Sequence, residues 1–268
     1  MSSEADKGLD ERARLERVQR NRSRLVALMT HVAVLVGWEL AVKLFDVPRF
    51  ILPAPSEIIM TLGSSRYDWV GNAWVTALEI CGGYFFAIVL GVAAALLFSW
   101  SKTLSMMFFP LLVTLNMIPK VALGPLVIVW FSYGISTNIL ITFSLCFFPI
   151  LLTTVRGLRE VEPDLLDLVK SLRGSRWQTF FYIQLPGALP YIFSGMKVAA
   201  ILAVAGAVVG EFIASDRGLG YLMIQVQAAL DTPAMFMAVT LITLIGIALY
   251  LAVLLVEHIV LPKDARMS

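Results

Sequence analysis

Between residues 121 and 155 the chain has no charged residue. A single helix through that run would be about 50 Å long, far more than the ~30 Å hydrocarbon core of a bilayer. The run must therefore turn back on itself. Its cluster of small and polar residues, Ser132-Tyr133-Gly134-Ile135-Ser136-Thr137, is where the turn is expected. Apolar runs recur along the chain. With 59% hydrophobic and 15% charged residues, the composition excludes an ordinary soluble domain and points to the bilayer.

The expected fold is an all-α integral membrane protein with six transmembrane helices, at about 25–45, 73–100, 104–131, 138–156, 188–212 and 234–257. Residues 1–24 form a charged arm without the apolar core and cleavage site of a signal peptide. The transmembrane domain covers 25–262, and 263–268 form a short tail. In the first span, Glu39 and Lys43 are spaced to pair on one face. Between the first two spans, Ser56 is placed to cap a short surface helix beginning Glu57-Ile58-Ile59-Met60. The third span is interrupted by Pro110, Pro119 and Pro125, and such a helix needs protein or a water-filled cavity around it. Cys81 and Cys146 both lie in apolar runs and read as buried thiols.

Six spans put both termini on one side, and the basic residues choose the side. Fifteen Lys and Arg residues fall on the side of the termini: Lys7, Arg12, Arg14, Arg17, Arg20, Arg22, Arg24, Lys102, Arg156, Arg159, Lys170, Arg173, Arg176, Lys263 and Arg266. The opposite loops hold three, Arg49, Arg66 and Arg217. The asymmetry places the termini and the loop at about 157–187 in the cytoplasm.

That loop contains the polar, partly basic stretch DLVKSLRGSRWQTFFYIQLP, residues 167–186. Its Trp177, Phe180 and Phe181 stand beside charges, which suits docking to a partner. The stretch resembles the cytoplasmic coupling loop of bacterial ABC importer permeases of the binding-protein-dependent, type I family. Four further segments resemble the nitrate/sulfonate/taurine branch in the same order. They are Leu52-Pro53-Ala54-Pro55-Ser56-Glu57, Ile118-Pro119-Lys120-Val121-Ala122-Leu123-Gly124-Pro125-Leu126, Leu185-Pro186-Gly187-Ala188-Leu189-Pro190, and Gly218-Leu219-Gly220-Tyr221-Leu222. The loop departs from the family in detail. Asp167 stands for the usual Glu, Leu168-Val169 for two alanines, and the usual glycine falls at Arg173 with Gly174 next. Gly174 is expected to supply the turn of a helix–turn–helix.

The resemblance implies a permease subunit of an ATP-driven importer. Its partners would be two ATPase subunits, a second copy of the permease, a periplasmic solute-binding protein and the lipid of the inner membrane, with no nucleic acid. ATP and Mg2+ would sit on the ATPases, with no cofactor or metal on this chain. Asp167, Ser171, Leu172, Arg173, Gly174, Ser175, Arg176 and Trp177 would couple to the ATPase. The cargo implied is a nitrate-, sulfonate- or taurine-like anion. The segment Gly206-Ala207-Val208-Val209-Gly210-Glu211-Phe212 resembles instead the branch for heterocycles such as thiamine precursors or riboflavin.

The residues agree with a non-catalytic subunit. Gly-Lys never occurs, so there is no Walker A motif. His31 and His258 have no neighbours at metal-ligand spacing. Asn116, Met117, Pro119 and Lys120 in the broken span, with Glu211 near the outer end of the fifth, are the candidates for a translocation path or gate. Lys120 could attract an anion or snorkel to an interface, and Glu211 could serve a gate or cap a helix. Lys197 reads as structural, and Glu79 as a boundary charge. Gly82, Gly83, Gly91, Gly195, Gly206 and Gly210 permit close helix contact, either within the chain or at a dimer seam. An ion-coupled secondary carrier is the alternative, but it ordinarily shows an internal repeat that this sequence lacks. A membrane enzyme would need catalytic groups clustered at one depth, whereas the charges here are scattered.

The charge asymmetry makes a direct prediction. A cysteine at Ser175 should react with an impermeant thiol reagent only from the cytoplasmic face, and one at Ser215 only from the periplasm. The reverse labelling pattern would invert the topology.

Overall fold

The computed structural model describes residues 2–161 and 163–261, and every described element is helical. In chain order the α-helices are α1 (Ser2–Leu44), α2 (Pro55–Met60), α3 (Trp69–Trp100), α4 (Lys102–Asn116), α5 (Gly124–Phe131), α6 (Ile135–Arg159), α7 (Pro163–Ser171), α8 (Arg176–Thr179), α9 (Leu185–Ala214), α10 (Leu219–Ala228) and α11 (Thr232–Val260). Five stretches among the described residues are long and apolar enough to cross a membrane: Leu25–Leu44, Ser65–Trp100, Ile135–Arg159, Arg176–Ala214 and Thr232–Val260. The tail at 263–268 lies outside the described residues.

The third expected span is not one helix. Its residues form α4, a 3-10 turn at Lys120–Leu123 and α5. Pro110 is tolerated inside α4, whereas Pro119 lies just after the helix end and Pro125 just inside the start of α5. Proline lacks the backbone donor that a continuing helix requires, so the last two sit where that loss matters least. The turn after α5 falls at Ser132-Tyr133-Gly134, the first half of the expected cluster. Gly134 has φ 127 and its N–H donates to the Ala214 carbonyl at 2.9 Å, tying the turn to the end of α9.

α6 is the centre of the bundle, packed along α9 on one side and α3 on the other. Glycines explain how close these helices come. A Cβ on Gly83 of α3 would lie 2.4 Å from the Thr142 Cβ and 2.9 Å from the Ile139 carbonyl oxygen. On α9, one on Gly206 would lie 2.8 Å from the Thr142 Cα, and one on Gly210 would lie 2.9 Å from the Asn138 Oδ1. The two glycines of the Gly206–Gly210 motif thus serve packing within the chain. Without a hydrophobic drive between helices in lipid, such close contact supplies dispersion energy that larger residues would block.

Several local expectations need correction. α2 begins at Pro55, and Ser56 does not cap it. The Glu57 carboxylate reaches back to accept from the Ala54 N–H at 3.2 Å, while Ser56 donates from its N–H and its hydroxyl to Glu39, at 3.0 and 2.7 Å. Glu39 also pairs with Lys43 at 2.6 Å, so one carboxylate joins α1 to α2. Cys81 is exposed, whereas Cys146 is buried and donates to the Ala199 carbonyl at 3.2 Å. Glu79 is fully buried. Lys197 pairs with Glu257 at 3.0 Å, the structural role expected of it.

The close approach at Gly83 can be measured. Gly83→Ala should destabilise the purified chain by about 1–3 kcal/mol, lowering its thermal denaturation midpoint in detergent. Gly37→Ala should not lower the midpoint, because nothing lies within 4 Å of a Cβ there and alanine suits a helix interior better than glycine.

Candidate functional site

The coupling-loop residues gather in one exposed helix–turn–helix at one end of the bundle. Asp167 and Ser171 lie on α7, Leu172, Arg173 and Gly174 form the turn, Ser175 opens α8, and Arg176 and Trp177 follow. Backbone bonds close the turn. The Leu172 N–H donates to the Leu168 carbonyl at 3.0 Å, and the Gly174 N–H to the Val169 carbonyl at 2.8 Å. This is the six-to-one closure that ends many helices, with the left-handed residue just before its donor. That residue is Arg173, at φ 55, not Gly174 as the sequence suggested. Gly174 is needed for a different reason, since a Cβ there would lie 2.4 Å from the Val169 side chain.

Ser175 starts α8 with a reciprocal cap. The Gln178 N–H donates to its hydroxyl at 3.2 Å, and its own N–H donates to the Gln178 side chain at 2.7 Å. Leu165, Leu168 and Leu172 follow one another at helical spacing, and all three are exposed. They leave an apolar ridge uncovered beside the charges, the character of a docking surface. After α8 the helix does not stop at Leu185-Pro186. A π turn at Phe180–Gln184 carries it directly into α9, with Pro186 in the first turn of that helix, where a missing donor costs little. The second half of the loop is therefore the inner extension of the fifth span.

At the other end of the bundle, Glu211 holds the start of α10. The four leading N–H groups of a helix have no partner within it. Here other elements supply them. Asn72 Oδ1 accepts from the Gly218 N–H at 2.8 Å, Thr76 Oγ1 from the Leu219 N–H at 2.8 Å, and the Glu211 carboxylate from the Gly220 N–H. The Thr76 hydroxyl in turn donates to Glu211 at 2.5 Å. Gly218 has φ 108, and a Cβ there would lie 2.2 Å from the Glu211 carboxylate. Only glycine lets the loop come this close. Beneath this grip, Asn138 of α6 donates to Glu79 at 2.8 Å. Glu79 and Asn138 are fully buried, and Glu211 is 1% exposed. Tyr67 donates to Asp231 at 2.5 Å, and Asp231 caps α11 by accepting from the Ala234 N–H at 3.3 Å.

Asn72, Thr76, Glu79 and Asn138 were not among the residues singled out as a gate. The first three had a signal, since they recur at helical spacing along one face of an apolar span. Asn138 had none. The path residues lie at the break between α4 and α5, where Gly124 packs against Ile213 near the end of α9. Met117 and Pro119 are exposed there. Lys120 turns its amine back onto α4, donating to the Asn116 backbone carbonyl and, at 2.7 Å, to the Asn116 side chain. A cation over the last carbonyls of a helix is favoured by the helix dipole. Among the described residues no group of three or more His, Cys, Asp and Glu could hold a metal ion.

Comparison with known proteins bears on the family and the fold. Residues 87–263 match the model of a family described as binding-protein-dependent transport system inner membrane component. The chain is 31% identical over 246 residues to the formylaminopyrimidine transport permease protein ThiX of Halalkalibacterium halodurans, covering 91% of this chain and 98% of that one. It is 32% identical over 240 residues to the riboflavin transport system permease protein RibX of Chloroflexus aurantiacus, covering 88% and 89%. Among solved structures, an inward-facing MetNI methionine ABC transporter chain superposes with TM-score 0.63 at 17% identity, covering 74% of this chain and 98% of that one.

The grip on α10 is testable by hydrogen exchange. Glu211→Ala should speed exchange of the Gly220 amide by about tenfold or more, since a buried donor left unpaired costs about 1–3 kcal/mol. Glu211→Gln keeps an acceptor and should exchange more slowly than Glu211→Ala.

Proposed function

The chain belongs to the family of binding-protein-dependent inner membrane transport components and is an ABC importer permease; from that premise we propose that residues 163–177 receive the motion of a partner ATPase and pass it to α3 and α9. The observation that carries this reading is the exposed helix–turn–helix with its uncovered leucine ridge, joined through a π turn to a helix that reaches the opposite end of the bundle. Asp167, Ser171, Leu172, Arg173, Gly174, Ser175, Arg176 and Trp177 form the docking element. ATP and Mg2+ belong to the ATPase subunits, two per assembly, and hydrolysis occurs there. A second copy of this chain completes the path, and a solute-binding protein delivers cargo at the α10 end.

The two ends of the bundle differ in the way this orientation needs. The loop end gathers Arg156, Arg159, Arg173 and Arg176, and Arg159 donates to Ser105 at 2.8 Å at the start of α4. The α10 end has Arg217 in the turn before α10, Arg49, paired with Glu57 at 2.8 Å, and Arg66, which lies over the Tyr67 ring, whereas the loop end also has Lys102 and Lys170 in its sequence. The positive-inside rule then puts the loop and both termini in the cytoplasm. Glu211 acts at the outer gate through its grip on α10. Asn116, Met117, Pro119 and Lys120 line the path where the broken helix opens. Lys120 closes the end of α4 and presents positive charge there. The cargo we assign is a heterocycle of the thiamine-precursor or riboflavin kind. This is supported by the two named relatives and by the Gly206–Phe212 segment, with a small oxyanion as the second candidate.

Gly174→Pro tests the docking element. Proline removes the N–H that donates to Val169 and disfavours the compact backbone of Arg173 before it. The variant should insert normally but lose both ATPase co-purification and uptake. Normal co-purification would remove the coupling role.

A further inference from the structure

The loop aromatics Trp177, Phe180 and Phe181 have no partner within the chain that the sequence makes legible. The structure supplies one. Trp100, the last residue of α3, meets Trp177 of α8 edge-on with ring centroids 4.6 Å apart, and stacks on Phe180 of the π turn at 5.4 Å. Phe181 extends the group, lying parallel to Trp177 at 5.8 Å and edge-on to Phe180 at 5.1 Å. Phe180 is buried in one apolar cluster with Phe98, Leu158 and Ile192, which joins the inner side of the group to α3, α6 and α9. Trp100 and Trp177 are half-exposed, so hydrophobic burial alone does not account for their meeting.

The same two helices meet again at the opposite end. There α3 contributes Asn72 and Thr76, and α9 contributes Glu211, to the grip on the first turn of α10. α8, the π turn and α9 form one helical rod from Arg176 to Ala214, about 58 Å long at ordinary helical rise. A displacement of the loop therefore reaches Glu211 directly through the rod. It reaches Asn72 and Thr76 only if α3 travels too. Along the backbone α3 leads only to α4, through Ser101, so the loop reaches α3 through side-chain contact, at Trp100 and along its packing on α6 and α9.

We propose that Trp100 is a positioning residue that clamps the inner end of α3 to the loop, so that α3 and α9 move together and the two halves of the α10 grip respond to the ATPase as a unit. This rests on the docking role given to residues 163–177. It deepens that role by naming the second helix the loop drives and the side chain that drives it. Within the π turn Phe180 reaches the core and Trp100, while Phe181 stays with Trp177.

The test uses the full chain assembled with its ATPase subunits, in a Cys81→Ser background with Leu222→Cys as a reporter under α10. Leu222 is 5% exposed, so an impermeant maleimide should label it slowly in the nucleotide-free complex. Trapping with Mg-ATP and vanadate should raise the labelling rate in the parent. Trp100→Leu should cut that nucleotide-dependent rise about three- to tenfold, the range expected for losing aromatic pairs of ordinary strength. The ATPase should still co-purify with Trp100→Leu, and Trp100→Phe should restore the rise. Phe180→Leu, which removes the clamp from the other side without touching the docking element, should reproduce the loss. A full nucleotide-dependent rise in Trp100→Leu would overturn the proposal, and so would no rise in the parent. Failure of the ATPase to bind the parent would instead sink the docking role on which the clamp rests. A merely structural role for Trp100 would change labelling equally with and without nucleotide, which the ratio separates.

Discussion

The fold depends on how closely α3 and α9 approach α6. In lipid, apolar side chains gain nothing by leaving one hydrocarbon environment for another, so packing contact must hold the helices together. Glycines on the α6-facing sides of α3 and α9 allow that contact at several depths, from Gly210 beside Asn138 to Gly195 beside Thr153. The approach brings Asn138 to Glu79 and Thr76 to Glu211, giving buried polar groups partners that lipid cannot supply. The close packing and the polar grip are thus one device. Widening the helix spacing at Gly83 or Gly206 would separate those polar partners.

That rigid centre gives the less tightly held elements something to work against. α10 is a short helix whose first turn is satisfied almost wholly by side chains of other elements, so its position reports the relative placement of α3 and α9. The loop at the other end is exposed, with an uncovered leucine ridge and a turn built on a left-handed Arg173. An arginine at that backbone conformation is mildly strained, and the surrounding turn bonds hold it there. Packed helices respond to a push by moving as bodies between discrete arrangements, which is what a permease needs to alternate its access.

The sequence determined the membrane character, the helical class, the position of the loop and the family. Each is written in local features. Apolar runs of bilayer length, prolines at the break between α4 and α5, the charge asymmetry and the ordered motifs are all properties of neighbouring residues. Tertiary structure decided what depends on neighbours far apart in the chain. It showed that Glu79 is buried rather than a boundary charge, because only packing against α6 brings Asn138 to it across fifty-nine positions. It moved the left-handed residue from Gly174 to Arg173, because the closing bond to Val169 fixes the register of the turn. It ran the loop into α9 through a π turn that no residue pattern announces, and it set Trp100 against Trp177 and Phe180. A sequence states which side chains can bond or stack. Which ones meet is settled only when the helices pack.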